Sequence, residues 1–106
     1  MANFFEQIRK VNELKKQAKE MQRKLEATVA EFENAGVKVV ARGDMTLVSV
    51  SITDPSVIDP AHPEKLERTM LENANKALRK VKAAAEELSK AAMKNMDLGG
   101  LGSMFG

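Results

Sequence analysis

The sequence predicts an α+β fold, an α/β protein in the broad sense, with two long helices and a small antiparallel sheet in the order α-β-β-β-α. Three changes of pattern predict it: apolar residues recur at steps of three and four, then of two, then of three and four again. The chain has 106 residues, which is the usual length of one domain. We assign residues 1–97 to that domain and residues 98–106 to a flexible glycine-rich tail.

The first helix is predicted from Phe4 to about Glu26. Phe4, Val11, Ala18 and Leu25 recur every seven positions, with Leu14 and Met21 in the interleaved position, and such spacing places all six on one stripe of a helix. A helix of about 25 residues is a rod of roughly 37 Å at 1.5 Å per residue. Because that rod is long for so small a protein, we expect much of it to project.

The strands are predicted between Ala27 and Thr53, where the apolar period changes to two. Residues 37–42 and 48–53 alternate between apolar and polar side chains, as half-buried strands do, and a Gly43-Asp44 turn joins them. Residues 28–33 fit a strand as well as a helix, and we interpret them as the first strand. Residues 34–36 then form the hairpin turn into the second strand.

The second helix is predicted from about Glu64 to Asn95, after a proline-rich segment that ends the sheet. Its apolar stripe is the stricter of the two: Leu66, Met70, Leu71, Ala74, Leu78, Val81, Ala85, Leu88 and Ala92. Additional alanines, among them Ala77, favour helix formation and allow a close approach to neighbouring elements.

A homodimer is predicted from the small size of the sheet. Three short strands leave edges whose unpaired backbone groups a monomer must protect. The two apolar stripes also exceed what such a sheet can cover. A second copy of the chain would satisfy both requirements.

The first helix carries its charges in columns, although the whole chain has a net charge of only +2. With Val11 as position a of a heptad, Arg9, Lys16 and Arg23 fall at f, opposite the apolar stripe. Lys10 and Lys24 fall at g, and three glutamates fall at c. The second helix has a similar excess of cations, namely Lys76, Arg79, Lys80 and Lys82. Charge segregated in this way attracts polyanions even when the net charge is small.

A solvated helix face is the alternative interpretation of these charges. Several of the lysines lie four residues after a glutamate, and such pairs ordinarily stabilise helices by a few tenths of a kcal/mol. No aromatic residue interleaves with the basic run, so a base-stacking surface is not predicted. Any nucleic acid bound should therefore be a duplex held by its phosphates, with low sequence preference.

The chain lacks the residues that catalysis or metal binding would require. It has no cysteine and one histidine, His62, which lies in the proline-rich turn. Disulfides, thiolate zinc sites and a cysteine nucleophile are therefore excluded. We expect no enzyme activity, no cofactor, no metal site and no small-molecule substrate. No apolar run approaches the length of a membrane span, and no signal peptide is expected, so the cytoplasm is the predicted compartment.

The order and spacing of several short motifs resemble the YbaB/EbfC family of bacterial nucleoid-associated proteins. The resemblance covers nearly the whole chain and rests on the run 17–22 (QAKEMQ), the run 37–40 (VKVV) with Gly43, Asp54-Pro55, Leu66-Glu67 with Asn75 and Ala77, and residues 99–101 (GGL). The chain departs from the family at the first hairpin. The family usually has a glycine-rich stretch there, and this sequence has only Ala35-Gly36.

The resemblance implies a tweezer-like homodimer that pairs through its sheet and holds double-stranded DNA between projecting helices. It implies a cytoplasmic, nucleoid-associated DNA-binding protein with an effect on nucleoid organisation or gene expression. Carried onto this chain by position, the DNA-binding residues are Arg9, Lys10, Lys16, Arg23, Lys24, Lys76, Arg79, Lys80 and Lys82. A non-enzymatic protein–protein adaptor, with a partner helix docked on the exposed apolar seams, remains the alternative.

Overall fold

The computed structural model describes residues 3–96 and has the predicted order of elements. The elements are α1 (Asn3–Ala27), β1 (Val29–Asn34), β2 (Val37–Arg42), β3 (Leu47–Ile52), a short 3-10 helix (Pro55–Val57) and α2 (Pro63–Met96). The predicted α-β-β-β-α order is confirmed, and so is the interpretation of the segment before the first hairpin as a strand. The predicted tail, residues 98–106, lies outside the described residues, and the domain boundary at 97 stays a prediction.

The three strands form an antiparallel sheet in the order β1-β2-β3, with β2 in the centre. Ala35 and Gly36 form the two-residue turn between β1 and β2, and both have positive φ angles, 52° and 79°. Two positive φ angles are typical of the type I′ hairpin turn, whose twist matches that of the strands. The pairing of β2 with β3 shifts register after Val40, which indicates a β-bulge.

The core lies between β2 and α2. Every second residue of β2 points at α2, and five apolar side chains are completely buried there: Val37, Val39, Ala41, Ala77 and Val81. Ala30, Phe32, Val57 and Leu66 pack around them. Because this core is so small, its stability depends strongly on each contact at its centre.

The face of α2 that meets the sheet differs in part from the predicted stripe. Leu71 was expected in the stripe but is 65% exposed, whereas Asn73 and Ala77 are buried. Asn73 lies over the β1–β2 hairpin, and its Nδ2 donates hydrogen bonds to the carbonyl oxygens of Asn34 (2.9 Å) and Val37 (2.8 Å). A pattern of apolar residues misses this position because the buried contact is polar.

The molecule is elongated because both helices run beyond the sheet. Its radius of gyration is 20.8 Å, compared with about 13 Å for a compact domain of this length. Gly43, at the end of β2, lies against the backbone of Leu25 near the C-terminal end of α1. That approach fixes where α1 leaves the sheet, and α1 otherwise has few contacts with the remainder of the chain.

Candidate nucleic-acid interface

Helix α1 is a solvent-exposed element throughout its length and has no buried residue. In its C-terminal half the apolar stripe faces α2 across an open groove lined by Leu14, Ala18, Met21 and Ala92. Beyond Ala18, α1 continues for fifteen residues to Asn3, whereas α2 continues for four residues beyond Ala92 to Met96. At 1.5 Å per residue, α1 therefore extends roughly 16 Å further than the described part of α2.

Four of the basic residues of α1 lie on the side that faces away from α2. Successive helical residues are about 100° apart, so heptad positions b and f are neighbours, opposite the apolar stripe. Four cations occupy this surface, which we name the basic ridge: Arg9, Lys16, Lys19 and Arg23. All four side chains are exposed, and none takes part in an ion pair within residues 3–96.

The structure does not bring all five predicted α1 residues onto one surface. The glutamates at position c lie between positions f and g on the helix, so they separate Lys10 and Lys24 from the basic ridge. Lys24 lines the groove towards α2. Lys19, which sequence reasoning missed, belongs to the ridge. A helical wheel would have identified Lys19, because this residue lies three positions after Lys16 and four before Arg23.

The expected helix-stabilising charge pairs are not formed on α1 in the described residues. The ion pairs within residues 3–96 lie outside α1: they join Lys38 to Glu31, Arg42 to Asp44, His62 to Glu64 and Lys90 to Glu87. The cations of α1 therefore meet solvent, and an incoming anion need not displace an internal carboxylate.

The predicted α2 residues are divided among different surroundings. Lys80 Nζ donates to the carbonyl oxygen of Glu31 at 2.9 Å. Lys76 Nζ lies 4.9 Å from the centroid of the Phe32 ring, a cation–π distance. Both lysines are held against β1, and these contacts give them a structural role beside any role in binding.

Of the two other α2 candidates, Lys82 lies apart from that pair, whereas Arg79 lies three residues after Lys76 on the same side of the helix. Lys82 lines a groove with Leu25, Gly43 and Met45, on the flank of α2 next to the β2–β3 turn. Arg79 is exposed. The α2 cations thus do not form one surface comparable to the basic ridge.

The loops next to the sheet are built from local aspartate turns. Asp44 accepts hydrogen bonds from Thr46 and pairs with Arg42 at 3.0 Å, and these contacts hold the pKa of its carboxyl below the ordinary value. Hydrogen bonds from Ser56, including its backbone N–H at 3.0 Å, similarly lower the pKa of Asp54. These groups order the turns and are exposed.

His62, the one histidine, contacts the Glu64 carboxylate at 3.3 Å in the turn before α2. Among the described residues, no three His, Cys, Asp or Glu side chains gather in the way that a metal ion requires. Over the same residues, neither helix combines the length and apolar content needed to cross a membrane.

The fold and the basic ridge define a small α-β-β-β-α subunit that presents a projecting basic helix. Comparison with known proteins identifies its family. Residues 1–96 match the model of the YbaB/EbfC DNA-binding family. The chain belongs to that family, as the sequence motifs predicted.

Individual relatives match over most of their length. A nucleoid-associated protein of Ruminiclostridium cellulolyticum is 34% identical over 106 residues, which cover 90% of this chain and 88% of that protein. A nucleoid-associated protein of Clostridium kluyveri is 36% identical over 100 residues, covering 86% and 82%. An uncharacterised protein of Mycoplasma pneumoniae is 35% identical over 96 residues, covering 84% and 94%.

Proposed function

We propose that this chain is a dimeric, non-enzymatic, nucleoid-associated protein of the cytoplasm that binds double-stranded DNA with low sequence specificity. The observation that carries the proposal is the basic ridge, four exposed cations on a projecting helix that have no ion-pair partner within residues 3–96. The names of the relatives support it. We expect binding to alter nucleoid organisation or gene expression.

The spacing of the ridge suits one strand of a duplex. Arg9 and Arg23 are fourteen residues apart on one face of α1, which corresponds to roughly 21 Å at 1.5 Å per residue. One DNA strand carries about six phosphates over that length, one for each 3.4 Å of axis. Contacts from Arg and Lys to phosphates hold the duplex without reading its sequence, so low specificity follows.

The dimer is proposed to pair through β3. This edge strand contains no charged residue and no proline, and its four large apolar side chains, Leu47, Val48, Val50 and Ile52, are 41–54% exposed. Soluble monomers usually protect such an edge with charges or prolines, and the β-bulge of this strand lies only at its Leu47–Val48 end. Pairing β3 with a second copy would satisfy its free backbone groups and cover these side chains.

Sedimentation of the Val50→Lys variant tests the dimer. We expect it to sediment as a monomer at concentrations where the unmodified protein is a dimer, because the new ammonium lies on the paired strand. Val29→Lys is the matched control, since Val29 is an exposed valine on β1, the opposite edge of the sheet. A dimer that persists in Val50→Lys and dissociates in Val29→Lys would contradict the assignment of β3.

Fluorescence anisotropy with a labelled duplex of about 30 bp tests DNA binding. Four ridge cations in each of two subunits make eight phosphate contacts, so the slope of log K against log salt should be about −7. Raising salt from about 50 to 200 mM would then weaken binding by roughly 10⁴-fold. The absence of binding at the lower salt concentration would refute the proposed function.

A matched pair of double variants tests whether the ridge makes these contacts. Lys16→Gln with Arg23→Gln removes two ridge cations, and Lys65→Gln with Arg68→Gln removes the same charges from the exposed start of α2. The first variant loses four contacts per dimer, so its salt slope should fall in magnitude by about 3.6. The second should keep the slope of the unmodified protein. Equal slopes in the two variants would overturn the assignment of the ridge.

The adaptor hypothesis remains as a second candidate because of the N-terminal half of α1. Phe4, Ile8, Val11 and Leu14 form an apolar stripe there, and each of these side chains is at least 43% exposed. The seam of α2 offers less support, because Leu78 packs against the core. An adaptor would bind its partner helix with little dependence on salt, unlike binding to phosphates.

A further inference from the structure

The aromatic residue Phe5 lies in line with the basic ridge rather than on the apolar stripe. Its ring is 73% exposed. The residues Phe5, Arg9, Asn12, Lys16, Lys19 and Arg23 follow one another at alternating steps of four and three. Such steps place all six on one face of a helix. The adjacent Phe4 instead begins the apolar stripe, about 100° away around the helix.

Phe5 also occupies the outermost turn of α1. Helical side chains lean towards the N-terminus of their helix, so the Phe5 side chain is expected to lean towards the free end of α1. α1 extends beyond the described part of α2, and the Phe5 ring meets the edge of the Phe4 ring with centroids 6.0 Å apart. A large apolar group is thus held at the tip of a helix whose same face is cationic.

We propose that Phe5 is an apolar wedge that inserts between two base pairs of the duplex held by the basic ridge. The proposal rests on the proposed function and adds a bend in the DNA to it. Contacts from the ridge to phosphates would bring the helix tip to the edge of a groove. Insertion would then bury the exposed ring against the base faces and offset the cost of unstacking one step. In proteins that insert Phe or Leu in this way, the duplex kinks by roughly 20–90°.

Ring closure of a short DNA fragment by ligase measures such a kink without knowledge of the binding site. A fragment of about 120 bp is shorter than the persistence length of about 150 bp and closes poorly by itself. We expect the unmodified protein to accelerate closure by about tenfold or more, because kinks bring the ends together. Phe5→Ala should lose this acceleration, and Phe5→Leu should retain most of it because leucine also serves as a wedge.

Val11→Ala is the matched control, since it removes an exposed apolar side chain from the apolar stripe at a distance from Phe5 and should leave the acceleration unchanged. Anisotropy measured in parallel should give Phe5→Ala the salt slope of the unmodified protein, because all ridge cations remain. Ring closure by Phe5→Ala at the unmodified rate, or DNA binding by the unmodified protein with no acceleration of closure, would overturn the wedge and leave the phosphate contacts standing. If the unmodified protein shows no salt-sensitive DNA binding, the proposed function is refuted, and the wedge proposal with it.

Discussion

The substitution Asn73→Ala provides a sharp test of how α2 is attached to the sheet. Asn73 is 1% exposed, and its Nδ2 donates to Asn34 O at 2.9 Å and to Val37 O at 2.8 Å. Its Oδ1 is buried without a hydrogen-bond partner in the described residues. The side chain thus joins the N-terminal third of α2 to both ends of the β1–β2 hairpin turn.

The expected cost follows mainly from the buried carbonyl oxygen of Val37, because the hydrogen bond to Asn34 O is only partly buried. Losing the partner of a buried polar group costs about 1–3 kcal/mol of the free energy of unfolding. One kcal/mol lowers Tm by about 4–8 °C in a domain of this size. We therefore expect Asn73→Ala to lower Tm by at least about 4 °C.

The assay is thermal unfolding followed by circular dichroism, at one fixed protein concentration because a dimer's Tm depends on concentration. Asn75→Ala is the control, since Asn75 is exposed and lies two residues further along α2. It should match or slightly exceed the unmodified Tm, because alanine is the better helix former. A Tm for Asn73→Ala within about 2 °C of the control would refute the reasoning.

Two further predictions concern the turns. A Cβ at Gly43 would collide with the Leu25 backbone, so Gly43→Ala should displace α1 and cost about 1–3 kcal/mol by overpacking. A Tm unchanged from the unmodified protein would contradict that close approach. Hydrogen bonds from Ser56 lower the pKa of Asp54. They therefore stabilise the fold at pH values above the ordinary aspartate pKa near 4, and this stabilisation is lost as the pH falls through the lower pKa of the folded state. The Tm of Asp54→Asn should therefore fall less between about pH 5 and pH 2 than the Tm of the unmodified protein. An equal fall in both would show that the Asp54 carboxylate does not stabilise the fold.

Much of the fold could be predicted because its periodicities are strong and local. The three predicted strands and both helices agree with the structure to within about a residue at most ends. Ala35-Gly36 was predicted as part of a turn, and the positive φ angles of both residues account for the short glycine-containing sequence. These features depend on near neighbours in the chain, which is why the sequence reveals them.

The candidate site could be predicted only in part. The heptad columns on α1 identified Arg9, Lys16 and Arg23, and the exposed helix of the structure keeps them on one face. Lys19 was missed, and Lys10 and Lys24 were grouped with the ridge. The reason is that the alphabetical order of heptad positions differs from their angular order around the helix. The contacts of Lys76 with Phe32 and of Lys80 with Glu31 join residues more than forty positions apart. No local pattern contains that information.

The sequence by itself determined the elements, their order and the columns of charge on α1, because each depends on spacing along a single segment. Tertiary structure alone decided that Asn73 belongs to the buried face of α2, since its side chain hydrogen-bonds to a hairpin that lies more than thirty residues away in the chain. The tertiary structure also explains why residue 43 is a glycine: a side chain at this position would collide with the backbone of Leu25. Packing between segments that are distant in the chain determines both the burial of Asn73 and the need for a glycine at position 43. A pattern of polar and apolar residues does not show which distant segments pack together.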